Sequence, residues 1–268
     1  MRLKVQRRDW AWAFASAICL GNLQLIEWGR AQGCQMDESM CRRVAMSGRL
    51  EAMRWLRAQT PPCAWDQTAC TQAAVHGHLE LLQWMRAQTP PCAWDQTTCK
   101  VAAKYGHLEL LQWMRNQSPP CPWDATTCTG AAMRGHLDVL KWARSQTPPC
   151  PWDADTCTCA ALQGSLDVLK WARNQTPPCP WDANTCRGAA LQGRLDVLKW
   201  VRSQTPPCPW SASHCLKVAE EAESAPPELL HWLRAEVEGE QGGGCCLTDS
   251  TAVSTLSAHA RRAPRVSR

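Results

Sequence analysis

Apolar and polar positions along this chain follow two helical rhythms that return at a fixed interval. The stretch from Trp123 to Pro151, WDATTCTGAAMRGHLDVLKWARSQTPPCP, shows one full cycle. Its loop tryptophan recurs at Trp65, Trp94, Trp123, Trp152, Trp181 and Trp210, in steps of 29 residues. A fixed period of about 20 to 50 residues marks a repeat array, in which each unit buries its apolar face only against its neighbours. A second tryptophan counts the units: Trp28, Trp55, Trp84, Trp113, Trp142, Trp171, Trp200 and Trp232 predict eight helix pairs. The first and last spacings, 27 and 32 residues, depart from the rest. End units have one face without a neighbour, so such departures are expected there.

Within a unit the pattern predicts where each helix starts and stops. Nine residues before each glycine, and before Ala222 in the last unit, stand Ser39, Thr68, Thr97, Thr126, Asp155, Asn184 and Ser213. All belong to the set whose side-chain oxygen accepts an orphan N–H at a helix start, which marks them as N-caps. A short helix with a small pair follows (Ala73-Ala74, Ala131-Ala132, Ala189-Ala190). Gly48, Gly77, Gly106, Gly135, Gly164 and Gly193 then offer the left-handed conformation that ends it. The second helix, LDVLKWAR at Leu137–Arg144, turns Leu137, Val139, Leu140 and Trp142 inward, with Asp138 and Lys141 as a candidate ion pair. Arg144 sits near the negative end of the helix dipole, and Thr147-Pro148-Pro149 stops the helix.

The stretch TACTQAAVHGHLE at Thr68–Glu80 resembles the T-P-L-H-x-A-A-x-x-G-H-L-E pattern of ankyrin repeats. The match covers residues 9–236 and is strongest over A-A-x-x-G-H-L-E. It departs from the family where cysteine replaces leucine and no proline follows the cap. The period is also shorter than the ~33 residues usual there. A similar C-P-W-D version is found in ankyrin-like families of algae and other protists. The resemblance implies an all-α solenoid of about eight stacked helix-turn-helix repeats with short or absent β-hairpin fingers. A leucine-rich repeat is the alternative. Leu166–Asn174, LDVLKWARN, fits L-x-x-L-x-L-x-x-N with one tryptophan for leucine. Its ninth position drifts through Ala87, Asn116, Ser145, Asn174 and Ser203, too loosely for an asparagine ladder.

Charge changes the picture once it is divided. The net +5 concentrates at the ends: residues 1–8 carry +4, the tail from Val237 carries +1, and the array is neutral. A neutral array argues against nucleic acid. The chain divides into a basic extension (1–8), the array (9–236) and a disordered tail (237–268). Residues 10–20, WAWAFASAICL, imitate a signal peptide's apolar region but run straight into the first unit. The 18 cysteines fall mostly at two fixed places per unit and read as reduced thiols acting as small apolar filler. An intracellular protein, cytoplasmic or nuclear, follows from that reading, and no stretch approaches membrane-spanning length.

Candidate chemistry is mostly excluded. Cysteines recur as C-x6-C and never as C-x2-C, and the histidine at His78, His107 and His136 becomes Arg49, Ser165 or Arg194 elsewhere. A zinc ligand does not vary in that way. No cysteine is singled out as a nucleophile, and no phosphate loop, H-E-x-x-H or G-x-S-x-G occurs. Neither enzyme activity, a metal nor a cofactor is expected. Thr89-Pro90 and its counterparts read as helix stops, with proline-directed phosphorylation as the alternative. The loop tryptophans form either a buried ladder between neighbouring loops or anchors for a partner.

Specificity in a repeat scaffold lies where units differ. The two residues before the glycine do: Val75-His76, Lys104-Tyr105, Met133-Arg134, Leu162-Gln163 and Leu191-Gln192. The ankyrin resemblance puts them on the inner, ligand-facing side, with Gln67 and Gln96 beside them. The sequence therefore predicts a non-catalytic, monomeric scaffold that binds protein through His76, Tyr105, Arg134, Gln163, Gln192, Lys104, Met133, Gln67 and Gln96. A leucine-rich-repeat interaction protein and an RNA-binding helical-repeat protein are the alternatives.

Overall fold

A row of antiparallel helix pairs carries the 29-residue rhythm into space. The structure is a computed structural model that describes residues 16–17, 20–32, 37–222 and 225–242. The basic extension, most of the first unit's first helix and the tail beyond Gly242 lie outside the described residues. Helix α1 (Leu23–Ala31) closes the first unit. Three pairs follow: α2 (Glu38–Ser47) with α3 (Leu50–Arg57), α4 (Gln67–Val75) with α5 (Leu79–Arg86), and α6 (Gln96–Lys104) with α7 (Leu108–Arg115). Next come α8 (Ala125–Met133) with α9 (Leu137–Ser145) and α10 (Ala154–Gln163) with α11 (Leu166–Arg173). The array ends with α12 (Ala183–Leu191), α13 (Leu195–Ser203), α14 (Ala212–Glu221) and α15 (Pro227–Gly242). Among the described residues there is no strand, so the fold is an all-α solenoid. Helix α15 continues past residue 236, where the sequence pattern ends.

The predicted helix starts shift by two residues. The N-cap is the aspartate of the W-D pair: Asp66 accepts from the Thr68 N–H at 2.9 Å, and Asp95, Asp124 and Asp182 do the same for Thr97, Thr126 and Asn184. Thr68 and its counterparts are the second helical residues. Their hydroxyls serve the cap instead of being it: Thr126 donates to the Asp124 carboxylate at 2.6 Å. The Thr68 hydroxyl likewise holds the Asp66 carboxyl below its usual range. The proposed Asp138–Lys141 ion pair does not occur among the described residues.

First helices pack closely against one another along the row, whereas second helices scarcely touch. The tighter row is the shorter, concave side of the solenoid. Small side chains permit the approach: Ala73, Ala74, Ala102, Ala103, Ala131 and Ala132 are fully buried. At Gly130 a methyl group would stand 2.9 Å from the Lys100 carbonyl, so α8 sits almost directly on the α6 backbone. From the second helices Leu140, Leu169 and Leu198 fill the space between layers. The left-handed glycines end the first helices as expected, with φ of 76° at Gly106.

The loop after each second helix is held by one arginine. Arg144 donates through a terminal guanidinium nitrogen to the Cys150 carbonyl at 2.6 Å. The same group lies over the Trp152 ring at 4.0 Å. Trp152 in turn meets Trp171 of the next unit edge-on, with centroids 5.9 Å apart at 71°. Arg57, Arg86, Arg115, Arg173 and Arg202 repeat the stack on Trp65, Trp94, Trp123, Trp181 and Trp210. The half-buried loop tryptophans are therefore rungs between units, each meeting the next unit's second helix and not, as the ladder reading has it, the neighbouring loop. Gln146 completes the loop by donating to the Trp142 carbonyl at 3.0 Å. The six Ser/Thr–Pro bonds from Thr60-Pro61 to Thr205-Pro206 are cis.

Sulfur closes the same loop from inside. The Cys150 thiol donates to the Asp124 carbonyl at 3.5 Å, tying the loop to the first residue of its own unit. Cys92, Cys121, Cys179 and Cys208 do likewise, and Cys128 in the first helix points to the Cys150 carbonyl. In the unit of α2 and α3 the two sulfurs, Cys41 and Cys63, lie 3.1 Å apart. All are free thiols. The neighbouring thiol of each pair, with burial adding to it, pushes Cys70, Cys99, Cys150 and Cys179 well above the ordinary thiol range.

Two outcomes follow from this frame. Trp94→Ala removes one rung and is expected to cost about 3 kcal/mol of stability, read as a lower midpoint in urea unfolding monitored by circular dichroism. The second concerns pH. The four raised thiols stay protonated in the folded chain and ionise above pH 9.0 in the unfolded one. Stability is then fully present below about pH 9 and falls above it, by roughly 1.4 kcal/mol per pH unit for each such thiol. Melting temperatures should be flat from about pH 7 to 8.5 and drop steeply towards pH 10, with a shallower drop in Cys70→Ala.

Candidate binding surface

The variable residues of the sequence sit where each first helix gives way to its glycine turn. His76, Tyr105, Arg134 and Gln192 are the residues that close α4, α6, α8 and α12, and Gln163 is the last residue of α10. All five are exposed, whereas Lys104 and Met133 are half-buried beside them. They form one column at the turn end of the concave row.

Gln67 and Gln96 do not join that column. They are the first residues of α4 and α6, at the opposite end of the helices. Nine residues of helix separate the two ends by about 13 Å. The Gln67 amide donates instead to the Asp95 carboxylate at 3.2 Å and links two neighbouring caps.

The centre of the column gathers charge on an aromatic ring. The Arg134 guanidinium lies 5.0 Å from the Tyr105 centroid, and the Lys104 ammonium lies 5.7 Å from it. Tyr105 also stacks near-parallel to His107, as His76 does to His78. Next to this cluster a cavity of about 380 Å³ is lined by Lys104, Met133, Arg134, Gln163 and Ser165. Four of the predicted contact residues thus meet around one opening.

Behind the column stands a second set that the sequence reading treated only as frame. His78 reaches the Met46 carbonyl at 3.0 Å through Nε2, and His107 reaches the Val75 carbonyl at 3.0 Å. A carbonyl only accepts, so Nε2–H is the donor in both. Each ring leans on the glycine of the preceding unit, leaving no space for a side chain there. Among the described residues no three His, Cys, Asp or Glu side chains gather as a metal site. No helix among them is long and apolar enough to cross a membrane.

Charge along the concave row is sorted. From α2 to α12 the first helices and their closing residues carry Arg42, Arg43, Lys100, Lys104, Arg134 and Arg187 against Glu38 and Asp155. Acidic residues collect elsewhere, at the caps Asp37, Asp66, Asp95, Asp124, Asp153 and Asp182 and on the outer second helices. The neutral total conceals this division, with cations along the first helices and at their turn ends and carboxylates at their starts.

Comparison with known proteins bears on the family. The model described as "Leucine rich repeat N-terminal domain" matches residues 49–71, 72–100, 103–129, 133–158, 160–187 and 191–215, together more than half of the chain. The chain belongs to the leucine-rich-repeat N-terminal domain family. This overturns the ankyrin resemblance. The shared A-A-x-x-G-H-L-E stretch encodes a close-packing helix, a left-handed glycine and an apolar second helix, which are general needs of paired helices. In this leucine-rich-repeat family member, the L-x-x-L-x-L register at Leu166 lies on α11. No curated protein matches the sequence.

Solved structures with a similar course include the pentatricopeptide repeat protein PPR10 in complex with an 18-nt psaJ RNA element, at 17% identity and a TM-score of 0.44. A cysteine-to-serine variant of that complex gives the same values, and PPR10 from maize gives 15% and 0.37. The chain covers 36% to 40% of those proteins, and 88% to 90% of it is matched. So distant a likeness assigns no ligand. The setting-aside of nucleic acid is corrected on charge, because the net total on which it rested hides the cations that lie along the first helices.

One thiol faces this surface. Cys159 is half-exposed on α10, with its thiol pushed up by burial and then by Asp155 and Asp153. Alkylation of the folded chain with iodoacetamide should mark Cys159 before any other described cysteine. The buried ladder thiols should react only in denaturant, as read by peptide mass spectrometry.

Proposed function

We propose that this helical-repeat protein is a non-catalytic binding array for single-stranded RNA, laid along the concave row of first helices. The sorted charge of that row carries the reading: Lys100, Lys104, Arg134 and Arg187 lie along the first helices and at their turn ends, while from α2 to α12 the carboxylates other than Glu38 and Asp155 sit at the caps and on the second helices. Proteins that hold single strands combine a basic groove with flat side chains on which bases stack. Tyr105, flanked by two cations, offers such a platform. The column of His76, Tyr105, Arg134, Gln163 and Gln192 supports a unit-by-unit contact, since each is exposed at the same place of its repeat. Helical arrays that read one base per repeat use variable residues at fixed positions.

Fluorescence anisotropy of a labelled single-stranded RNA tests this. Affinity should fall linearly with salt on logarithmic axes. Replacing Lys100 and Arg187 together by glutamine should flatten the slope by about 1.4, near 0.7 for each lost phosphate contact. Affinity that is insensitive to salt, or to both substitutions, would overturn the reading.

A further inference from the structure

The cavity beside Tyr105 opens where one residue breaks a column. In most units the residue after the glycine fills the space in front of the preceding unit's glycine. His78 does so at Gly48, His107 at Gly77 and His136 at Gly106, with ring atoms 2.5 to 2.6 Å from where a methyl group would be. Further along, Arg194 covers Gly164 and Pro226 covers Gly193. At Gly135 the covering residue is Ser165, which brings only a hydroxyl and its Cβ within 4 Å. The volume of an imidazole is missing there, and Ser165 lines the cavity of about 380 Å³.

The same opening collects positive charge without compensation. Lys104 and Arg134 both line it, and no carboxylate does. Neither cation forms an ion pair among the described residues; both lie against the Tyr105 ring. Both cations line one opening with no carboxylate beside them, and an anion seated there would be attracted by both. The remaining polar lining suits an oxygen-rich anion: Ser165 offers a hydroxyl and Gln163 an amide donor. Met133 forms the apolar wall.

The geometry points to this cavity as a seat for a phosphomonoester dianion, the terminal phosphate of the bound strand. It is gripped by Lys104 and Arg134 and oriented by Ser165 and Gln163. An internal phosphodiester carries a single charge, whereas a terminal phosphate carries about −1.5 to −2 at pH 7 and answers both cations. This assignment rests on the RNA reading of the array and adds its register, with the strand's end between the α6 and α10 units.

The test uses the full chain and three RNAs of one sequence, phosphorylated at the 5′ end, at the 3′ end or at neither, with inorganic phosphate as a separate probe by calorimetry. One phosphorylated form should bind roughly tenfold tighter than the unphosphorylated strand, in line with an added charge-assisted contact. Ser165→His installs the residue already present at His78, His107 and His136, so the fold is kept while the cavity is filled. It should abolish that preference, leave the unphosphorylated strand bound as before and remove inorganic phosphate binding. Equal binding of all three strands would overturn the cavity assignment and leave the RNA reading intact. If no RNA bound, yet inorganic phosphate bound the native chain and not Ser165→His, the seat would stand and the RNA reading would fall. Failure of both probes overturns both.

Discussion

One guanidinium per unit decides whether the array holds together. Each loop contains two or three prolines and has no strand or helix of its own, so its carbonyls need donors from outside the loop backbone. Arg144 and its counterparts supply one to the cysteine carbonyl and, with the same planar group, cover the loop tryptophan. The tryptophan then passes the contact to the next unit's second helix. Hydrogen bond, cation–π stack and aromatic edge contact form a single chain that runs the length of the solenoid. Lysine at this position would keep the charge and lose the plane.

That chain of contacts lies on the outer side, and the inner side is held in a different way. There the first helices approach through Ala, Gly and Cys, with little side chain between backbones. Bulky half-buried contacts outside and small buried ones inside give the row its concave face. The same division sorts charge: carboxylates cap helix starts, where the dipole favours them, and the exposed inner positions are left to Lys and Arg. Net charge is blind to that sorting, which is why a neutral total misjudged the surface.

Much of this was legible in the sequence. The period, the glycine turns and the second-helix core at Leu140 and Leu169 are local properties, and local properties repeat. The helix start was misplaced because Thr68 and Asp66 both belong to the capping set, and only geometry shows which oxygen receives the N–H. Family membership was misjudged for a related reason. Small, glycine and leucine positions report the needs of a helix pair, whatever its lineage. The role of Arg144 was hidden because a helix dipole already seemed to explain it, while its partners Cys150 and Trp152 lie in the following loop. Gln67 was grouped with Tyr105 from a supposed face, although they stand at opposite ends of neighbouring helices. The signal for the cavity was visible as the change from His136 to Ser165, but a residue lost from a column reads as drift until the space it vacates is seen.

The histidines that lean on the glycines amount to stoppers in a row of identical compartments. Each stopper is a side chain from the next unit, and His78 and His107 are bonded by Nε2–H to a helix-end carbonyl. Withdrawing it leaves the Arg–Trp chain on the far side untouched, because the two structures share no residue. A repeat of this kind can therefore gain or lose a compartment by one codon without risking the frame. Diversity in such an array need not come only from what its exposed residues present; it can also come from which compartments are left open.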